Sequence, residues 1–361
     1  MVTVTNEFSP DYAVPPGWIL KDRLESEGIS QAEFARRCGR SPKLVSEIIS
    51  GKAPLEPGTA LQFEKVLNVD AGIWLGIESG YRLHRAREAE ARKAAASAEW
   101  VKAFPVQDLV KRGCFQRPKS DVETVSGLLA FFRVGSVDAW TARYGMANVA
   151  YRHSPKFKSG EAALATWLRL GEIAAERQEC ADFDGRQFEQ GLQSIRRLTR
   201  EPIVEAFRQT MKLCNEAGVA LALIQPLPKT ALSGAAWWLS PRKAVIQLTA
   251  RHKSDDQLWF SFFHEAAHIL LHSKKGVFID GIRGNDTEQE IEANEWASNF
   301  LVPKPAWDRF AESSPRKAHI VREFADAQGI APGIVVGMLQ HEGLLPWTHL
   351  NGLKIRLSWK S

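Results

Sequence analysis

DDQLWFSFFHEAAHILLHS, residues 255–273, decides how the C-terminal half of this chain is read. On a helix, His264 and His268 stand four residues apart and project from one face, so both imidazoles can reach a single zinc. Glu265 lies beside them, placed to take a proton from a water that attacks a carbonyl. The flanking Leu258, Trp259, Phe262, Phe263, Ile269, Leu270 and Leu271 are apolar enough to bury the helix. Ligand-type residues in the middle of a buried helix are costly unless they bind something. An amphipathic surface helix is the alternative for any HExxH string, and this composition argues against it.

A catalytic zinc takes a third protein ligand and keeps one position open. His272 shares the helix of the first two histidines, and the spacing of HExxHxxGxxH is not met. The next helix, EQEIEANEWASNFLVP (288–303), offers Glu288, Glu290, Glu292 and Glu295, with Trp296, Phe300 and Leu301 as its buried side. Glu290 and Glu292 are roughly 200° apart around a helix, so one of them can face the metal. Glu290 shares its face with Asn294, which could hydrogen-bond a ligand histidine from behind. Glu290 is therefore the first choice and Glu292 the second, while Glu288 and Glu295 read as solvated. Upstream, GVALALIQ (218–225), AAWWLS (235–240) and KAVIQLTA (243–250) are short apolar runs between turn residues and read as strands. If Trp237 and Trp238 were exposed, AAWWLS would offer an edge strand to an extended peptide; buried, they would be core packing, the more frequent case.

HEAAHILLH followed by EIEANEWASNFLVP resembles the ImmA/IrrE family of zinc metallopeptidases, whose pattern is HExxH and then E-x-x-A-N-x-F-A-x-x-L-L-x-P. Trp296 replaces the usual Phe. The resemblance extends weakly back to residue 218 and forward to GIVVGMLQHEG (333–343). It implies Zn2+ held by His264, His268 and Glu290, with Glu265 as catalytic base and Asn294 behind the ligands. It also implies a gluzincin-like fold and, as in the best-known members, cleavage of a partner repressor. Oxyanion donors are candidates by residue type alone: Tyr144, Tyr151, His252, His341 and His349.

The other informative stretch is ISQAEFARRCGRSPKLVSEIISGK, residues 29–52. Ser30 is a good N-cap with Glu33 three residues on, the pattern of a capping box. Ala35 is small where two helices must cross, and Gly39 sits where a tight turn needs positive φ. Ser41 caps a second helix with Pro42 at its first position, and Val45 and Ile48 face back to the first. Gln31, Ala35, Gly39, Val45 and Ile48 together fill the slots of a helix-turn-helix. Arg36, Arg37, Arg40, Lys43 and Lys52 face one acid, Glu47, across this turn. Gln31, Arg40, Ser41, Lys43, Ser46 and Lys52 are the candidates for contacts to bases or phosphates. A small helical bundle with a solvated basic face is the alternative. Residues 16–83, with the segments TALQFEKVL and WLGIE, resemble the HigA-type antitoxins of the Xre repressor superfamily. That resemblance implies a five-helix domain that binds operator DNA, usually as a homodimer.

Composition frames both motifs. At 361 residues the chain spans two or three domains of about 150 residues. Hydrophobic content of 44% and charged content of 25% exclude global disorder. With a mean hydropathy of −0.24 and no long apolar run, a membrane span is not expected. The opening MVTVTNEFSPDY lacks the basic and apolar regions of a secretory signal. Cys38, Cys114, Cys180 and Cys214 stand far apart, which fits a reducing cytoplasm and disfavours a Cys-rich zinc site. Net charge is +5, too mild to identify an anionic partner alone. The expected organisation is multidomain and mainly α: a helix-turn-helix bundle (1–83), a helical connector (84–215) and an α+β metallopeptidase domain with a small sheet (216–361). The expected function is a DNA-binding regulator whose zinc endopeptidase cleaves a repressor or a toxin–antitoxin partner. The alternatives are a regulator whose C-terminal domain senses a ligand, metal or stress signal without proteolysis, and an antitoxin that neutralises a toxin by binding.

Overall fold

In the computed structural model, residues 13–145 and 160–358 are described, apart from 229, 231, 252, 275, 276, 281–286 and 314. They divide into two compact units, Met1–Ala98 and Glu99–Ser361. Tyr151 and His252 lie outside the described residues.

Among the described residues the first unit holds five helices: α1 (Pro16–Ser26), α2 (Gln31–Arg37), α3 (Pro42–Ile49), α4 (Pro57–Leu67) and α5 (Ala71–Ala96). Its core gathers Leu20, Leu24, Phe34, Ala35, Val45, Ile48, Phe63 and Trp74, with Phe63 set edge-on to both Phe34 and Trp74. The α2–α3 turn follows from its sequence. The Ser30 and Ser41 hydroxyls accept from the backbone N–H of Glu33 and Leu44, both at 3.2 Å. Gly39 takes φ +63°, a conformation that costs a side-chain-bearing residue about 1–2 kcal/mol. The expected capping box is only half used, because the Glu33 carboxylate is engaged by Arg36 and Arg37. The Ala-, Arg- and Glu-rich stretch from residue 82 is the continuation of α5, which ends at Ala96 with Ser97 as its C-cap. One helix therefore crosses the expected boundary at 83/84.

The second unit is built on a four-stranded mixed sheet of β1 (Val219–Leu223), β2 (Gly234–Ser240), β3 (Lys243–Leu248) and β4 (Val277–Asp280), in the order β1-β3-β2-β4. β1 runs parallel to β3, while β2 pairs antiparallel with β3 and β4. Side chains alternate between two faces. Ala235, Trp237, Val245 and Ile279 join a core with Phe104, Leu128, Phe132, Trp140, Trp167 and Leu170. These come from α8 (Asp121–Phe132), α9 (Val137–Gly145), α10 (Glu161–Glu176) and the turn between the short α6 (Ala98–Val101) and α7 (Val106–Lys111). The other face carries Ala236, Ala244, Ile246 and Leu248 against Leu258, Trp259, Phe262 and Phe263 of α13 (Asp255–Leu271). That layer also holds α11 (Gly185–Leu198), α12 (Ile203–Glu216), α14 (Glu288–Leu301), α15 (Lys304–Glu312), α16 (Ala318–Gln328) and α17 (Pro332–His341). The described residues between 99 and 215 thus supply cover for both faces of the sheet.

One open alternative is decided and one expectation is corrected. AAWWLS is not an edge strand: β2 lies between β3 and β4 and has ladder partners on both sides. Trp237 is buried in the α10-side core, and Trp238 packs edge-on to Phe183 with Lys274 over its ring. The edge next to β2 is instead β4, four residues that the sequence reading passed over. On α14 the side packed deepest is Ala293, Ala297 and Leu301, while Trp296 and Phe300 stack on each other half-buried.

Candidate functional site

The helix α13 is buried along most of its length, including His264, Glu265 and His268. Buried polar groups of this kind cost about 1–3 kcal/mol each when left unsatisfied, so their surroundings are informative. His264 Nε2 and His268 Nε2 lie 3.0 Å apart. From α14, Glu290 brings Oε2 to 3.2 Å from His264 Nε2 and Oε1 to 3.5 Å from His268 Nε2. One ligand atom from each of the three residues falls within 4.8 Å of the others. Asn294, one turn on from Glu290, places Oδ1 at 3.0 Å from His264 Nδ1.

The donor set fits a divalent metal. An amide oxygen only accepts, so His264 Nδ1 carries the hydrogen and its Nε2 presents a lone pair. His272 Nε2 meets the Glu292 carboxylate at 3.1 Å and therefore donates, which leaves its Nδ1 to accept from His268 Nδ1 at 2.9 Å. His268 Nε2 then presents a lone pair as well. Two lone pairs at 3.0 Å, facing a carboxylate, repel one another unless a cation sits between them. Burial holds the pKa of His268 below its ordinary value, against the pull of Glu290, and so favours the uncharged ring that a metal needs. Burial works to raise the Glu290 carboxyl, but a positive charge shared with the two histidines, in the place a metal would take, holds it down at about 2. Two imidazoles and one carboxylate are a ligand set that suits zinc with an open position.

Glu265 is fully buried, and its carboxylate rests on the start of β2. A Cβ on Gly234 would come within 2.4 Å of Glu265 Oε1, so only glycine leaves room for that side chain there. Phe278 of β4 stacks on the His268 ring at 4.4 Å and 11°. Tyr144 lies elsewhere, in the aromatic cluster with Phe132 and Trp140 on the α10 face of the sheet. His341 is exposed at the end of α17, and the backbone carbonyl of His349 accepts from Gln340.

The start of α13 is pinned by a polar cluster that the sequence reading did not single out. Asp255 accepts from the backbone N–H of Ile355 at 2.8 Å, and Lys354 Nζ lies 2.6 Å from Asp256 Oδ2 and 2.7 Å from Gln340 Oε1. Burial, with a smaller push from Asp256, raises the Asp255 pKa to about 6 from an unfolded value of 3.8. The folded chain therefore binds this proton more tightly, and the group subtracts stability as pH rises from about 4 to 6 and above. Asp255→Asn is expected to raise unfolding stability at pH 7.5 by about 1–3 kcal/mol, an advantage that shrinks below pH 4. Urea melts at the two pH values measure it, and an equal or negative difference at pH 7.5 would contradict it.

In the first unit Gln31, Ser41, Lys43, Ser46 and Lys52 are exposed. Ser41 is already committed as a helix cap, Lys43 lies 3.9 Å from Glu47, and Arg40 is half-buried with Nε bonded to Gln62 Oε1.

Comparison with known proteins agrees with both halves. A helix-turn-helix family model matches residues 20–74, and the model of the IrrE N-terminal-like domain, a peptidase family, matches 215–331. The uncharacterized HTH-type transcriptional regulator YddM of Escherichia coli (strain K12) is 30% identical over 73 residues, 20% of this chain and 78% of that protein. The chain belongs to the HTH-type transcriptional regulators. The regulator's DNA-binding match spans α1 to the first turn of α5, and its peptidase-family match begins just before β1 and takes in α13 and α14. Peptidase domains of this kind are typically metal-dependent, in keeping with the His–His–Glu cluster. No helix among the described residues is long and apolar enough to cross a membrane.

Proposed function

We propose that the C-terminal domain of this regulator is a zinc-dependent endopeptidase that cleaves a protein partner, a repressor or a member of a toxin–antitoxin pair. The observation that carries the reading is the convergence of His264 Nε2, His268 Nε2 and the Glu290 carboxylate around one point, on the helix that also buries Glu265. A zinc ion there would polarise a carbonyl and make water more acidic. Glu265 accepts the proton of the attacking water and returns it to the leaving amine. Asn294 holds the His264 ring in the tautomer that faces the site. An extended substrate pairs along β4, at the sheet edge beside His268, where main-chain hydrogen bonds bind peptides with little demand on sequence.

Two tests address the two halves. Chelation is expected to abolish cleavage of a co-expressed partner, and added zinc to restore it; cleavage that survives complete metal removal would contradict the reading. For the DNA-binding half, we assign phosphate contacts to Lys43 and Lys52. Alanine at both is expected to weaken operator binding across sequences and to reduce the slope of log affinity against log salt by about two. An unchanged slope in a filter-binding or fluorescence titration would move the contacts elsewhere.

A further inference from the structure

We propose that His272 and Glu292 are positioning residues that fix the tautomer and rotation of the His268 ring toward the metal. The inference rests on the reading of His264, His268 and Glu290 as ligands. Each histidine of the pair needs a partner at Nδ1, and the two partners differ. His264 has an amide oxygen from α14, whereas His268 has another imidazole, His272, four residues on.

An imidazole can donate or accept at Nδ1, so His272 by itself would leave the His268 tautomer undefined. Glu292 removes that freedom. Its carboxylate accepts from His272 Nε2 at 3.1 Å, so the remaining nitrogen of His272 accepts from His268. The chain of bonds runs from His268 Nδ1–H to His272 Nδ1 and from His272 Nε2–H to Glu292 Oε2. Backbone geometry makes it possible. His272 is the C-cap of α13 with extended dihedrals, and its side chain remains almost wholly buried. Glu292, by contrast, is largely exposed on α14. Phe278 stacks on the His268 ring and lies 5.2 Å from the ring of His272. Phe278 therefore sets the plane of His268, and His272 sets which nitrogen faces the site.

The test is zinc titration of the full chain, with the visible spectrum of the cobalt(II) form as a second readout. His272→Phe keeps the ring but removes the acceptor, and is expected to weaken zinc binding about 10- to 100-fold and to shift the cobalt bands. His272→Asn returns an acceptor oxygen near the Nδ1 position and should recover most of the affinity and the wild-type spectrum. A role confined to packing would not be rescued by so small a side chain. Glu292→Leu, at an exposed site, should show a smaller loss of the same sign, and serves where His272→Phe does not fold. Wild-type zinc affinity and cobalt spectra in both His272→Phe and Glu292→Leu would overturn the inference. A wild-type chain that binds no zinc would overturn the ligand reading, and this inference with it.

Discussion

Glu265→Gln is expected to lower the rate of peptide hydrolysis by about 100- to 10,000-fold, with zinc content and operator affinity at wild-type values. The reason is the separation of tasks along α13. His264 and His268 turn their Nε2 atoms toward Glu290, whereas the Glu265 carboxylate rests on Gly234 and is no member of the ligand cluster. Glutamine has the same shape and keeps the contact with β2, so the fold and the metal should survive. What it loses is the capacity to take a proton from water and return it to the leaving amine. Partial activity close to wild type would remove Glu265 from the chemistry. Loss of zinc in the same variant would mean that Glu265 supports the site rather than the reaction.

Glu290→Ala should have the next largest effect, on the metal itself. Structural zinc in small domains is worth about 10–16 kcal/mol over its ligand set, so one ligand of the set accounts for roughly 3–4 kcal/mol, or about 100- to 1,000-fold in affinity. The variant should copurify with little or no zinc, and added zinc should leave its melting temperature unchanged while raising that of the wild type. The exposed neighbour Glu292 is the control for position on α14. Its replacement is expected to cost far less, because it meets His272 and not the paired Nε2 atoms. Zinc affinity at wild-type strength in Glu290→Ala would exclude it as a ligand.

Much of this site is legible in the sequence because its elements are helices. Spacing of four places His264 and His268 on one face, and the same spacing pairs Glu290 with Asn294; both relations hold in the structure. Neither depends on knowing what lies across the domain. The role of His272 is harder to read, since it depends on the chain leaving the helix at that residue and on where α14 lies. Glu292 is two residues from Glu290 and points elsewhere, as the helical angle requires, yet its partner is another histidine rather than solvent alone. β4 escapes notice because four residues between turn signals carry too little alternation to stand out. Residues 99–215 look like a connector for a related reason. Helices such as α10 are amphipathic in any surroundings, and only the sheet's second face shows what they cover. The N-terminal fold needs no such long-range information: the caps Ser30 and Ser41, Gly39 with positive φ and the buried Ala35, Val45 and Ile48 are local requirements met locally.

Cleavage of a protein partner through the α13–α14 site, as proposed, would leave new termini in the cell. The most direct measurement is mass-spectrometric mapping of new protein termini in cells that express the full chain or its Glu265→Gln form at equal levels. A partner with a new internal terminus in wild-type cells, intact in Glu265→Gln cells and cleaved by the purified zinc-bound wild type, is the predicted result. Identical sets of termini in the two strains, with regulation of the operator unchanged by the substitution, would contradict it.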